Sequence, residues 1–109
     1  MQARMHVDGA DLTGAFQNYI GRRLRFALGR FGDRVGQVTV RVRTEGRLGN
    51  QCRVSAEILP FGQVAVEESD FDLFAAIDRA TGRIGRQFGR ELGRIRDARV
   101  GRQSLRLAA

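Results

Sequence analysis

Apolar and polar residues alternate from the start of the chain. In QARMHV (2–7), Ala3, Met5 and Val7 share one face, and that period of two predicts a short strand. Asp8-Gly9 breaks the pattern, and Asp11 is placed to cap a following helix. From Leu12 the apolar residues recur at 12, 16, 20, 24, 28 and 31, a helical spacing that runs to about Gly32. Val38, Val40 and Val42 alternate with Gln37, Thr39, Arg41 and Arg43 in a second, half-buried strand. TEGRLGN (44–50) is a turn-rich connection. Cys52, Val54, Ala56 and Ile58 alternate with polar partners in a third strand. Pro60-Phe61-Gly62 then turns tightly into a fourth, QVAVEE at 63–68. Ser69 and Asp70 open a second helix, from about Phe71 to Arg96. VGRQSLRLAA has no clear period and reads as a loose tail.

The order β-α-β-β-β-α predicts an α+β two-layer sandwich, a four-stranded sheet with two helices on one face. The expected division is one domain over residues 1–96 and a short flexible tail over 97–109. The expected core is Met5, Phe16, Ile20, Leu24, Leu28, Val40, Val54, Phe74, Ile77, Ile84 and Phe88.

Charge changes the picture. Nineteen basic residues stand against twelve acidic ones, for a net charge of +7, and all nineteen are arginine. The planar guanidinium fork suits bidentate phosphate contacts, so a polyanion is the first partner to consider, nucleic acid ahead of membrane. At 100° per residue, Arg79, Arg83, Arg86, Arg90 and Arg94 fall between about 180° and 260° from the core-facing Ile77. They form one stripe with no carboxylate among them until Asp97. A solvated helix usually mixes signs so that neighbours pair at i,i+4; like charges there favour a docking surface. On the first helix, Arg22, Arg25 and Phe26 occupy the far side, with Arg23 and Arg30 on the flank. Gly82, Gly85, Gly89 and Gly93 fall between about 80° and 160°, between core stripe and basic stripe. Two explanations stand: close packing of the two helices, or close approach of a phosphate backbone.

The stretch DFDLFAAIDRATGRIGRQ (70–87) resembles a segment of the ribosome hibernation-promoting factor and ribosome-associated inhibitor family. LTGAFQNYIGRRL (12–24) is similar to that family's first helix, and GDRVGQVTV (32–40) to the approach to its second strand. The resemblance spans roughly residues 2–96. It implies a fold similar to a double-stranded-RNA-binding domain and a non-enzymatic cytoplasmic protein that occupies the decoding channel of the small ribosomal subunit. It implies ribosomal RNA as the ligand, with Arg23, Arg30 and Arg34 of the first helix and Arg83, Arg86, Arg90 and Arg94 of the second at basic positions. Arg22 and Arg79 join this set through the helical projection alone. The chain resembles the short form of the family, expected to be a monomer off the ribosome.

No catalytic constellation accompanies these residues. A lone His6 and a lone core-facing Cys52 make neither a nucleophile pair nor a four-ligand zinc site, and no cofactor or small-molecule substrate is expected. The acidic run Glu67, Glu68, Asp70 and Asp72 reads as a favourable charge at a helix start. GRIGRQFG lies inside a helix, so it is no nucleotide fingerprint. The longest apolar run, LFAAI at 73–77, is too short to span a bilayer. Two other functions remain open: a general double-stranded RNA or DNA binder outside the ribosome, and a protein-interaction module with a glycine-flanked helix.

Overall fold

A computed structural model describes residues 5–8, 13–45, 47 and 49–108, with the side chains of 5–8, 45 and 99–108 outside the description. The elements are β1 (Met5–Asp8), α1 (Gly14–Leu28), a 3₁₀ segment (Gly29–Arg34), β2 (Val35–Glu45), β3 (Gly49–Ile58), β4 (Gln63–Asp70) and α2 (Leu73–Ala108). Strands β2, β3 and β4 form an antiparallel meander, and β1 pairs in parallel with β2 to give the order β1-β2-β3-β4.

The alternation read from the sequence sets the faces. Val38, Val40 and Val42 of β2, Cys52, Val54, Ala56 and Ile58 of β3, and Val64 and Val66 of β4 are buried under the helices. Ile20, Leu24 and Leu28 come down from α1, and Ala76, Ile77, Ala80, Ile84, Phe88 and Leu92 from α2. Burial of each large aliphatic side chain contributes about 1.5–3 kcal/mol. Burial also holds the Cys52 thiol protonated, pushing its pKa up to about 12.

Four expectations are corrected. The cap of α1 is Thr13, whose Oγ1 accepts from the Phe16 N–H at 3.3 Å, while Asp11 lies outside the described residues. The first helix stops at Leu28 and tightens into the 3₁₀ segment, which Gly32 breaks at φ 53°. Phe74 is 48% exposed, because it sits on the first turn of α2, stacked 4.9 Å from Phe16 and edge-on to Tyr19 rather than over the sheet. The stretch after Arg96, expected to lack regular structure, is helical: α2 continues to Ala108. Residues 97–108 contain no proline, and Ala, Arg and Leu outnumber the single Gly101, so the helix can continue through them. Met5 and His6 pair through their backbones with Val38 and Thr39, and their side chains lie outside the description.

The helices run in the same direction. Tyr19 and Arg23 of α1 meet Asp78, Ala27 meets Gly85, and Phe31 packs on Phe88 at 4.8 Å. The glycines divide accordingly. A Cβ on Gly85 would meet the Ala27 carbonyl oxygen at 3.0 Å, and one on Gly89 would meet the Phe31 ring at 3.2 Å. Gly93 has nothing within 4 Å, and Gly82 only the tip of Arg86 at 3.5 Å. Close helix packing therefore accounts for Gly85 and Gly89 and leaves Gly82 and Gly93 without a packing role.

Two substitutions should consequently have opposite signs. Gly93→Ala should stabilise the protein by about 1 kcal/mol, the helical preference of alanine over glycine. Gly85→Ala should destabilise it, because the obstructing atom is backbone. Equilibrium urea unfolding measures both.

Candidate nucleic-acid interface

The structure sorts the arginines by what each touches. On β4, Val64, Val66, Glu68 and Asp70 have the same parity, so the two acids continue the helix-facing side of the strand beyond the core. They meet α2. Arg83 donates to Glu68 Oε1 at 2.9 Å. Arg79 donates to Asp70 Oδ2 at 2.8 Å and to the Ser69 carbonyl at 2.7 Å, and its Nε lies 3.7 Å from Glu68. The stripe predicted to lack acidic neighbours thus has two of them, supplied across the fold. Exposed pairs of this kind are screened by water and add little to stability; their larger effect is to fix Arg79 and Arg83 against the sheet edge.

Of the acidic run, Asp72 takes the expected place at the helix start and the others do not. Asp72 Oδ1 accepts from the Phe74 N–H at 2.9 Å and so caps α2, whereas Asp70 Oδ1 accepts from the Asp72 N–H at 2.8 Å and Glu67 faces Arg53 at 3.9 Å on the open sheet face. The Asp72 N–H is the main reason the Asp70 carboxyl titrates below its ordinary value, with Arg79 adding to the effect.

Three more predicted residues are tied down. Arg23 Nε lies 3.3 Å from Asp78 Oδ1, within ion-pair range but without a hydrogen bond. Tyr19 donates to the same carboxylate oxygen. That bond, more than burial, keeps the phenol protonated above its usual range. Asp78 thus joins α1 to α2, a role that sequence spacing does not indicate. Arg34 Nε donates to the Leu59 carbonyl at 2.8 Å and holds the β3–β4 turn. Arg94 pairs along its own helix with Glu91 at 3.4 Å.

Arg22, Arg25, Arg30, Arg86 and Arg90 are exposed and have no carboxylate partner among the described residues. Arg30 lies over the Phe31 ring, 4.7 Å from its centre, at the seam between the helices. By projection, Arg22 and Phe26 on α1, and Arg86 and Arg90 on α2, point away from the sheet. Four of the nine predicted arginines, 22, 30, 86 and 90, therefore share the outer side of the helical layer. Arg23, Arg34, Arg79, Arg83 and Arg94 hold the fold or pair locally.

A family model described as sigma 54 modulation protein / S30EA ribosomal protein matches residues 4–96. The chain belongs to that family. Its members are non-enzymatic, ribosome-associated factors of translation regulation. The crystal structure of Thermus thermophilus Protein Y N-terminal domain is similar at 28% identity and a TM-score of 0.66, covering 83% of this chain and 96% of that one. The structure of a ribosomal subunit interface protein from Coxiella burnetii is similar at 14% identity and a TM-score of 0.68, covering 85% of this chain and 99% of that one; at that identity the likeness speaks for the fold. No curated protein matches the sequence. The family match ends at residue 96, so α2 extends twelve residues past it, to Ala108. Among the described residues no helix is long and apolar enough to cross a membrane.

Because folding lowers the Asp70 pKa, the stability it contributes is full at neutral pH and is lost as pH falls from about 4 downward. Asp70→Asn should lower the melting temperature at pH 7 and shrink the loss seen on acidification. Thermal unfolding by circular dichroism across that range checks both.

Proposed function

We propose that this chain is a ribosome hibernation factor that binds the small subunit in the cytoplasm, lays its helical layer on ribosomal RNA and blocks the decoding channel. The observation that carries the reading is the separation of the arginines. Arg22, Arg30, Arg86 and Arg90 stand on the outer side of two parallel helices without carboxylate partners among the described residues, ready for phosphate. Family membership supplies the ribosome. The double-stranded-RNA-binding likeness belongs to the same reading: A-form RNA hides its base edges, which leaves shape and backbone as what a basic helical layer can read. Binding as a monomer fits one such surface per chain.

Arg23, Arg34, Arg79, Arg83 and Arg94 take a supporting part in this reading. They position the helices and the sheet edge, and the phosphate contacts fall to the others.

Each phosphate contact releases condensed counterions, so log affinity should fall linearly with log salt by about 0.7–0.9 per contact. Changing Arg22, Arg86 and Arg90 together to glutamine should flatten that slope for small subunits by about 2–3 units. Changing Arg79 and Arg83 to glutamine should alter it by less than about 1 unit, because their guanidiniums already face carboxylates. A larger change from the second pair would place the RNA at the sheet edge instead. Added protein should also displace transfer RNA from small subunits in filter binding. Inhibited translation with undiminished transfer-RNA binding would reject occlusion of the channel.

A further inference from the structure

We propose that Phe26 is a stacking platform for an unpaired RNA base. This rests on the reading that the helical layer faces RNA, and it adds a kind of ligand which that reading does not contain. Phe26 is 85% exposed near the end of α1. An exposed phenyl ring contributes little to folding, and its apolar surface stays in contact with water until something covers it. With Tyr19, Arg22 and Arg23 it lines an open cleft on the outer side of the layer. Tyr19 and Arg23 are both held by Asp78, so one wall of that cleft is fixed.

The charges around the ring select the occupant. Arg22 lies one turn before Phe26 and lines the same cleft, exposed and without a carboxylate partner among the described residues. A flat apolar face beside such a cation fits a nucleotide: the base covers the ring, and its phosphate meets the Arg22 guanidinium. Phe71 provides the contrast within the same molecule. It is 77% exposed but lies between Asp70 and Asp72, whose charges oppose a phosphate. A paired duplex has no free base face to offer, so the ligand is a nucleotide turned out of a loop or bulge.

The experiment compares a hairpin RNA carrying a single-stranded loop with a blunt duplex of the same stem, each titrated with the full chain at fixed salt. Phe26→Ala is expected to weaken hairpin binding about 5- to 150-fold. Duplex affinity and the salt slope should stay unchanged, because the ring is neutral and releases no counterion. Phe26→Tyr should bind the hairpin as the native chain does. Phe26→Leu, apolar but without a flat face, should fall with the alanine variant. The melting temperature should hold in all three, since the side chain is exposed. Equal losses on both RNAs, no loss on the hairpin, or full retention by leucine each overturns stacking. Failure of the native chain to bind either RNA removes the RNA reading of the helical layer as well; native binding with an indifferent Phe26→Ala removes stacking alone.

Discussion

The contact of Gly85 with Ala27 sets the distance between the two helices, and most of the outer surface depends on it. A Cβ there would stand 3.0 Å from the Ala27 carbonyl oxygen, tighter than side chains ordinarily pack, so the backbone would have to give way. Helices that approach this closely bring Arg30 to the seam beside Gly89 and hold Asp78 within reach of both Tyr19 and Arg23. Two glycines in a long helix cost helical stability, and here that cost is offset by contacts that would otherwise be out of range. The seam also makes the spacing of the arginine rows a property of backbone packing. A substitution that changes no charge could shift one row against the other and would then resemble a charge mutation in a binding assay.

The sheet was the legible part of the chain. Strict alternation in β2, β3 and β4 identifies the buried face residue by residue, because one side must be apolar and the period is two. The helix stripes were legible for the same kind of reason, and Ile77, Ile84 and Phe88 lie where their spacing places them. Ends were less so. Asp11 and Thr13 are both capable caps, and the sequence alone does not say which one the chain uses. Phe74 keeps the period of the core stripe, yet it falls on the first turn, where its neighbours are Phe16 and Tyr19.

The candidate site was legible as a population of arginines but not as a division of labour. A helical projection registers only neighbours on the same helix, so Arg79 and Arg83 look unopposed along α2. Their partners come from β4. The signal was present in the alternation, since Glu68 and Asp70 share parity with Val64 and Val66 and so had to face the helices. Asp78 shows a similar gap. It lies inside the stretch that carries the family resemblance, while its work, joining Tyr19 and Arg23, is visible only when the two helices are side by side.

The common direction of α1 and α2 gives the molecule a heading. Parallel helices align their axial dipoles, but the Asp72 carboxylate caps the start of α2 with Asp70 beside it, so that end carries negative side-chain charge. The exposed guanidiniums of Arg86 and Arg90 stand farther along the same axis. A polyanion exerts torque on such an object as well as attraction, so the protein turns its acidic end away before any side chain makes contact.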